Sequence, residues 1–544
     1  MTREEREAGW SAAETRSGEA RVATRRSRLL RGAAVTGFWL LILIGAVLLG
    51  AALWVQRTFG AISVDQLLMN LPGGEGAGGD EVVTSAVVSI LLIPTGVVLV
   101  LALLTERSRR VLRRSGGLRA RRSRALRGIA AVVAVAVPIS GAVAFGSTIG
   151  VGAYVQSYAR EAAGEATIAD YYVVPRHGVS ANAVGGPGMR ADGASQTEHR
   201  NLIVIYLESV ENAMADDELF EKNMLEPVER ATEGWESIPS LHTYDGGGWT
   251  MAGIVGTQCG IPLRTDNTFN DNFDLNKLGS EGYEITSYLP GATCLGDVLA
   301  REGYRNVFMG GADANFAGKG SFLSTHGYDE IHDLQEWRAA GETEIREDWG
   351  LSDRRLFELA REQVVRLHEQ QQPFNLTMLT LDTHEYPYLY DSCVQDTEAP
   401  LTSITFCSME QVAGFVDALG ELGILEDTSV VLMGDHRKQV AEGSSFWNEL
   451  GAREDRSLFT RVWSPDGARF ERGRLDQLSM YPTLLELAGI ELEDHRAGAG
   501  VSALVGARDV PEGTILDLDA GEYSAVVQSR AAGFYRELWS ERTP

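Results

Sequence analysis

Three long apolar runs in the first 150 residues constrain the fold of this chain more than any other feature. They cover about residues 36–55, 83–104 and 128–150, and none has a charged residue at its centre. Each run approaches the roughly 20 residues that a helix needs to cross a bilayer. A buried core helix or a cleaved signal peptide explains one such run, but not three that are bounded by arginine clusters. We therefore expect three transmembrane helices within residues 32–155.

The charges between the apolar runs predict how these helices are oriented. Residues 1–31 contain eight Arg and five Glu, and residues 105–127 contain ten Arg and one Glu. Residues 56–81, in contrast, are glycine-rich and acidic. Because arginine-rich loops stay on the cytoplasmic side, we expect a basic cytoplasmic arm over residues 1–31. With three spans, everything after residue 155 is expected to be extracytoplasmic.

The long C-terminal part is strongly acidic. The basic and acidic segments above hold 19 of the 49 Lys+Arg and 10 of the 75 Asp+Glu, which leaves 30 basic and 65 acidic residues. This balance excludes a nucleic-acid binder, which needs a basic surface. All four cysteines lie in the same part, where disulfides persist. We expect Cys393 to pair with Cys407, and Cys259 with Cys294, although spacing alone leaves the connectivity open.

The pattern after residue 200 predicts an α/β domain. We expect a linker over residues 156–199 and one catalytic domain over residues 200–544. Short apolar runs suited to buried parallel strands alternate with helical stretches: runs at 201–207, 306–309, 374–381 and 429–433, and helices at 294–302, 353–370, 408–422 and 475–489. This alternation favours a central, mostly parallel sheet. Alternating runs at 514–518 and 524–528 are expected to complete it.

Chemically active side chains follow the predicted strands. Glu208 follows the first strand, His384 comes after the third, and Asp435 and His436 follow the fourth, while Thr250 stands in a glycine-rich loop that precedes a helix. In open parallel sheets ligands bind beyond the carboxyl ends of the strands. Oxygen ligands with one nitrogen suit Mn²⁺ or Mg²⁺, and such an ion lowers the pKa of a bound threonine hydroxyl. Singly, each residue also fits a cap, a turn or a packed loop.

Several motifs carry a family resemblance. The segments NLIVIYLESVE, GGWTMAGIVGTQCGIPL, LPGATCLGDVL and FMGGADANFAGKGSF, with THEYPY and GDH, span about residues 200–440 in order. In these segments the chain resembles the membrane-bound phosphoglycerol transferases of the alkaline phosphatase/sulfatase superfamily. That group includes the lipoteichoic acid synthases and the osmoregulated-glucan phosphoglycerol transferases, and the resemblance is closer to the latter. It implies N-terminal transmembrane helices followed by an alkaline phosphatase/sulfatase-like α/β domain.

The resemblance also implies roles for matching residues. One divalent cation, Mn²⁺ or else Mg²⁺, is expected on Glu208, Thr250, Asp435 and His436. Thr250 is expected to be the nucleophile that takes phosphoglycerol from phosphatidylglycerol and passes it to a glycan or glycolipid acceptor through a covalent glycerophospho-threonine intermediate. The protein is expected in the bacterial plasma (inner) membrane as a multi-pass enzyme of envelope biogenesis, in contact with the lipid bilayer.

The substrate-binding residues follow the family pattern only in part. His384 matches the family histidine near the phosphoglycerol group. The lipoteichoic acid synthases also use a Trp-x-Arg pair there, and this chain departs from it. The corresponding stretch offers Asp313, Phe316 and Lys319, of which Lys319 supplies a point charge rather than a bidentate fork.

Other functions stay open at the level of sequence. A phosphoethanolamine transferase shares the fold, the metal-bound threonine and the membrane anchor. In a sulfatase the Cys-x-Pro-x-Arg signature carries the nucleophile, but after Cys259 the Pro and Arg each come one residue too late. A phosphodiesterase, with water as acceptor, and a non-catalytic membrane sensor are the remaining alternatives.

Overall fold

The computed structural model describes most of the chain. It covers residues 32–59, 62–69, 84–114, 120–176, 199–238, 240–264, 287–346, 349–440, 444–453, 455–472 and 475–540. The chain divides into two compact units, Met1–Gln56 with Val82–Thr148, and Arg57–Glu81 with Ile149–Pro544. The basic arm expected over residues 1–31 lies outside the described residues.

The first unit is formed by apolar helices. Three spans are long and apolar enough to cross a membrane: Gly32–Thr58, which we call α1, Thr84–Ser108 and Gly128–Thr148. The second contains a π-helical stretch, Val87–Leu92, that runs into an α-helix, and the third is the end of a long α-helix. The expectation of three membrane-compatible helices near residues 36–55, 83–104 and 128–150 is therefore confirmed.

Two glycines allow close contact between the first and third spans. A Cβ atom on Gly141 would lie 2.4 Å from the carbonyl oxygen of Gly45, and one on Gly45 would lie 2.6 Å from the backbone of Val137. Membrane helices lack a hydrophobic force between them and associate where small residues let their backbones approach. The glycine pair allows such an approach between two helices that are apolar enough to cross a membrane.

The second unit contains the mostly parallel sheet that the alternating pattern predicts. The strands of the unit are β1 (Asn201–Leu207), β2 (Leu241–His242), β3 (Arg305–Gly310), β4 (Glu330–His332), β5 (Phe374–Leu379), β6 (Thr428–Gly434), β7 (Thr460–Trp463), β8 (Leu475–Asp476), β9 (Arg496–Ala497) and β10 (Gly500–Val501). Six of them form the sheet, in the order β4-β3-β5-β1-β6-β7. All neighbouring pairs in this sheet are parallel except β6 and β7.

Helices cover both faces of this sheet. Successive β1 residues alternate between two cores, with Val204 and Tyr206 in one and Ile203 and Ile205 in the other. In chain order the helices after α1 are α2 (Val64–Met69), α3 (Ile93–Arg114), α4 (Ala120–Thr148), α5 (Val151–Ala162), α6 (Glu226–Ala231), α7 (Thr250–Cys259), α8 (Leu295–Arg301), α9 (Lys319–Thr325), α10 (Leu334–Ala340), α11 (Asp353–Glu369), α12 (Pro400–Glu421), α13 (Trp447–Leu450), α14 (Gln477–Leu487), α15 (Ala520–Val527) and α16 (Ala532–Trp539). The expected doubly covered α/β sheet is confirmed.

The two alternating runs near the C-terminus do not form strands, so this expectation is wrong. Residues Ile515–Asp517 form a 3₁₀ turn, and the second run lies mostly within α15. Thr514 and Asp519 each begin a capping box, which satisfies the free N–H groups of a helical first turn and overrides the weak alternation. The sheet is completed instead by β7, which pairs antiparallel with β6.

The segment expected to be a linker is partly structured. Helix α5 occupies its beginning, and the following 3₁₀ turn places Ile168 fully buried in the larger core. Val173 then pairs with Gly498 through an isolated antiparallel bridge. The packed part of the second unit thus includes residues before position 200, and residues 177–198 of the expected linker lie outside the described residues.

Both expected cysteine pairs are present. Cys259 is bonded to Cys294, and Cys393 to Cys407. The first bond joins the end of α7 to the residue that precedes α8. The second closes the loop before α12 onto that helix.

Candidate active site

Two neighbouring strands bring the predicted acidic residues together. β1 pairs with β6 in a register that sets Leu207 beside Gly434, so Glu208 and Asp435 are the first residues beyond adjacent strand ends. His436 follows directly, and the ligand atoms of Glu208, Asp435 and His436 all lie within 4.8 Å of one another. All three side chains are buried. The sheet topology therefore gathers residues that are more than 200 positions apart in sequence.

Thr250 joins this cluster because α7 begins at that residue. Its Oγ1 donates a hydrogen bond to Glu208 Oε2 at 3.3 Å. Helix α7 is packed directly on the metal-ligand candidates, since a Cβ on Gly253 would lie 2.1 Å from the carbonyl oxygen of Asp435. Gln477 fixes the same carbonyl with a bond from Nε2 at 2.6 Å. A hydroxyl at a helix N-terminus is thus held against a carboxylate, where the helix dipole also favours an anion.

The donor atoms of the cluster fit a divalent cation. Asp435 Oδ2 is buried and has no hydrogen-bond partner among the described residues, whereas Oδ1 accepts from the backbone N–H groups of Ser209 and His436 at 2.9 and 2.8 Å. His436 Nδ1 donates to the carbonyl oxygen of Arg437 at 2.8 Å, so Nε2 is the ring nitrogen that faces the carboxylates. That nitrogen lies 3.5 Å from both Glu208 Oε1 and Asp435 Oδ2. Carboxylate and imidazole ligands with this orientation suit Mn²⁺, Mg²⁺ or Zn²⁺.

The electrostatics of the cluster favour a bound cation. Burial and the neighbouring Glu208 carboxylate raise the pKa of Asp435 to about 7. Burial disfavours the imidazolium form of His436, but Asp435 and Glu208 outweigh it and raise its pKa to about 9. Two buried carboxylates beside each other are costly unless a cation compensates them. A bound metal ion supplies that charge and leaves His436 neutral as a ligand.

His384 lies beside the cluster with a defined tautomer. Its Nδ1 donates to the carbonyl oxygen of Glu385 at 2.6 Å, so Nε2 is the open nitrogen. Burial lowers the pKa of His384, while the charge of Glu208 opposes this effect. The ring of Trp349 packs on the imidazole, with centroids 3.9 Å apart, and Trp349 Nε1 donates to the same Glu385 carbonyl at 3.0 Å.

The three residues proposed in place of the Trp-x-Arg pair have different environments. Lys319 is buried with its Nζ 5.9 Å from the ring centroid of Phe308, and burial lowers its pKa while Asp333 and Asp313 raise it. Phe316 is exposed and packs edge-on against Trp349 at 5.4 Å. Asp313 accepts bonds from the backbone N–H of Asn315 and from a glutamine side chain at 2.8 and 2.7 Å, as expected of a turn residue.

Two residues near the site had no prediction attached to them. Trp349 lies in a segment without a recognisable motif, so only the folded chain places it on His384. Lys438 is buried two residues after the Gly-Asp-His motif and lies 3.3 Å from Glu385 Oε1. Its nearness to that motif was the one signal that could have identified it.

A second group of possible metal ligands is excluded by its own bonds. Cys259, Cys294 and His326 lie close together, but the two cysteines form a disulfide. His326 bonds Asp297 Oδ2 through Nδ1 at 2.7 Å and the Tyr288 carbonyl through Nε2 at 3.0 Å. The disulfide also removes Cys259 as a sulfatase-type nucleophile.

The fold and the cluster resemble those of the sulfatase-like α/β class. Residues 268–490 match the protein family described as Sulfatase. The matched range includes Asp435 and His436, whereas Glu208 and Thr250 lie before it. The resemblance inferred from the motifs is confirmed.

Curated relatives carry a more specific name. The chain is 34% identical over 354 residues to "Phosphoglycerol transferase I" of Xanthomonas campestris pv. campestris (strain B100), covering 64% of this chain and 48% of that protein. It is 32% identical over 269 residues to "Phosphoglycerol transferase I" of Escherichia coli (strain 55989 / EAEC), covering 48% of this chain and 33% of that protein. The match with the Xanthomonas protein thus spans about half of that relative.

Among solved structures, the chain is similar to the lipoteichoic acid synthase LtaP from Listeria monocytogenes. The two are 14% identical, with a TM-score of 0.45 over 63% of this chain and 93% of that chain. It is also similar to the periplasmic domain of EptC from Escherichia coli in complex with Zn, at 11% identity and a TM-score of 0.38 over 61% of this chain and 97% of that chain.

Proposed function

We propose that this protein transfers phosphoglycerol from phosphatidylglycerol to an extracytoplasmic glycan or glycolipid acceptor. The observation that carries the proposal is the Thr250 hydroxyl bonded to Glu208 at the start of α7, beside Asp435 and His436. A hydroxyl in this position supports the assignment of Thr250 as the nucleophile. The name of the Xanthomonas and Escherichia relatives supports phosphoglycerol as the transferred group.

Glu208, Asp435, His436 and Thr250 would hold one divalent cation. When bound, such an ion acts as a Lewis acid that lowers the pKa of the threonine hydroxyl and neutralises phosphate charge. We propose Mn²⁺ as this cation because the motif resemblance implies it. Ser209 supports the set, because its Oγ donates to Glu208 Oε1 at 2.7 Å while its N–H holds Asp435.

The chemistry proceeds in two displacements at phosphorus. Thr250 Oγ loses its proton and forms a bond to the phosphorus of the donor while the bond to the diacylglycerol oxygen breaks, and that oxygen takes up a proton as diacylglycerol leaves. The acceptor hydroxyl oxygen then loses its proton and forms a bond to the same phosphorus while the bond to Thr250 Oγ breaks, and Thr250 Oγ regains a proton. His384 would carry these protons through its Nε2, and Lys319 would attract the phosphate oxygens.

The apolar helices support a membrane location. A lipid donor is presented at the bilayer, so anchoring the catalytic unit there raises its effective concentration. We propose three spans, with the basic arm and the 105–127 loop in the cytoplasm and the catalytic unit outside. A cysteine introduced at residue 176 should then react with an impermeant thiol reagent in intact cells, whereas one at residue 110 should not.

The decisive experiment offers headgroup-labelled phosphatidylglycerol and phosphatidylethanolamine separately to the purified chain with Mn²⁺. We expect diacylglycerol release from phosphatidylglycerol alone, loss of that release in Thr250→Ala, and partial retention in Thr250→Ser, which keeps a hydroxyl. Release from phosphatidylethanolamine alone would assign the protein to phosphoethanolamine transfer. Full activity of Thr250→Ala would overturn the nucleophile.

A further inference from the structure

A short aromatic segment is exposed next to the candidate active site. Residues 386–390 (Tyr-Pro-Tyr-Leu-Tyr), which we call the tyrosine segment, begin two positions after His384. Tyr386 is 53% exposed, Tyr388 43% and Leu389 39%. Large apolar groups exposed side by side in a soluble unit mark a binding surface more often than a structural one. Neither the proposed nucleophile nor the metal ligands account for them.

Contacts with neighbouring residues fix the position of the tyrosine segment. Arg346 is fully buried, donates to the carbonyl oxygen of Tyr386 at 2.7 Å, and lies 5.4 Å from the ring centroid of Tyr388. The rings of Tyr388 and Tyr390 meet edge-on at 4.8 Å, and Tyr390 Oη donates to the carbonyl oxygen of Gly350. Rings that are fixed before binding lose little conformational entropy when a ligand stacks on them.

The charges around the segment favour a neutral ligand over an anionic lipid surface. Residues 385–391 contain Glu385 and Asp391 but no Lys or Arg. The nearest cations are already engaged, because Lys438 pairs with Glu385 at 3.3 Å and Arg346 bonds the tyrosine backbone. A phosphatidylglycerol surface would meet net negative charge here. A tyrosine offers instead an apolar ring face with a polar hydroxyl at its edge, which matches the C–H face and hydroxyl groups of a pyranose sugar.

We infer that the tyrosine segment is the acceptor subsite and binds a pyranose unit of a neutral glycan by stacking on Tyr386 and Tyr388. The inference rests on the proposed function and names the part of the chain that selects its acceptor. The segment directly continues the loop that carries His384, whose Nε2 is open. A sugar stacked on it would lie on the same loop as the histidine that the proposed function assigns to proton transfer.

The test separates the acceptor step from the donor step. The test variants are Tyr386→Ala, Tyr388→Ala, Tyr386→Trp and Tyr388→Trp. The control is Leu422→Ala, because Leu422 is an apolar residue that is 47% exposed at the end of α12. Two rates are measured on the full chain in detergent with Mn²⁺: diacylglycerol release without acceptor, and phosphoglycerol transfer to a β-glucan hexasaccharide. We expect each Ala variant to raise the KM for the hexasaccharide roughly tenfold, with release unchanged, and the Trp variants to restore it.

Three outcomes would overturn the subsite. The first is an unchanged hexasaccharide KM in both Ala variants. The second is a loss of diacylglycerol release in these variants as large as their loss of phosphoglycerol transfer. The third is weaker sedimentation with phosphatidylglycerol vesicles at unchanged KM, which would mark a lipid-facing surface. If the wild type releases no diacylglycerol, the proposed function fails on its own. Hexasaccharide binding, followed by tryptophan fluorescence, then decides the subsite: loss in Tyr386→Ala but not in Leu422→Ala supports it, and equal binding refutes it.

Discussion

Arg456 Nε donates a hydrogen bond to the Glu211 carboxylate at 2.8 Å, and both side chains are buried. The backbone N–H of Lys438 donates to the same carboxylate at 2.9 Å. Glu211 lies three residues beyond the ligand candidate Glu208, and Lys438 lies two beyond His436. The ion pair therefore fixes the two chain segments that carry the metal-ligand candidates relative to each other.

Breaking this pair should be costly. Glu211→Gln leaves the Arg456 guanidinium buried without a counter-charge, which typically destabilises a protein by about 3–5 kcal/mol. We expect a clear fall in the melting temperature of the detergent-purified chain. The exposed pair between Arg230 and Glu226 is the control, because its side chains are 71% and 60% exposed and such pairs contribute little. A melting temperature of Glu211→Gln equal to that of Glu226→Gln would contradict the prediction.

The close contact between α7 and Asp435 predicts that one added methyl group on this helix strongly lowers activity. In Gly253→Ala the new Cβ would meet the Asp435 carbonyl oxygen at 2.1 Å, so either the helix or the ligand segment has to shift. Because Thr250 begins the same helix, we expect diacylglycerol release to fall at least tenfold. Gly414→Ala is the matched control, since a Cβ there has no atom within 4 Å and alanine favours the helix. Comparable activity of the two variants would refute the proposed contact.

The sequence predicted the parts of this fold that rest on local pattern. β1 has the predicted limits because its residues are apolar and buried on both faces, and the residues that follow β1, β5 and β6 converge because parallel strands end at one edge. Trp349 and Arg346 were missed because they reach the site only through tertiary packing. The C-terminal runs were misassigned because capping at Thr514 and Asp519 outweighs a weak alternation.

A buried acid behind the site predicts a pH dependence of stability. Asp353 accepts bonds from the backbone N–H of Leu381 at 2.7 Å and from Ser408 Oγ at 2.7 Å, and burial raises its pKa to about 6 from an ordinary 3.8. The folded state thus holds a proton that the unfolded chain releases. The protonated Asp353 carboxyl contributes fully to stability below about pH 3.8, and this contribution is lost as the pH rises through about 6. The free energy of unfolding falls by at most about 3 kcal/mol over this range.

The variant Asp353→Asn does not titrate, so its stability relative to the wild type should rise between pH 4.5 and 7. The measurement is the difference in melting temperature at the two pH values. Asp396→Asn is the control, because hydrogen bonds from Lys222 and Ser403 lower the pKa of Asp396 and move its titration below this window. A difference that is constant with pH for Asp353→Asn would show that this carboxyl group is not the titrating one.

Metal binding should be visible without any substrate. The orphaned Asp435 Oδ2 and the open Nε2 of His436 gain partners when a cation binds, so Mn²⁺ should raise the melting temperature and EDTA should reverse it. At a free concentration one hundred times its Kd, a ligand that binds only the folded state raises the free energy of unfolding by about 2.7 kcal/mol. Asp435→Asn and Glu208→Gln should lose most of this response, together with bound metal measured by mass spectrometry.

The exposed carboxylate variant Asp396→Asn should keep the full Mn²⁺ response, because Asp396 is engaged by Lys222 at 2.9 Å in the loop before α12 rather than in the cluster. Thr250→Ala should keep most of the response, since it removes one neutral ligand and leaves both carboxylates. If Asp435→Asn responds to Mn²⁺ as the wild type does, the cation binds elsewhere. The negative charge beside Thr250 then needs a different counter-ion, because two buried carboxylates in contact are unstable without one.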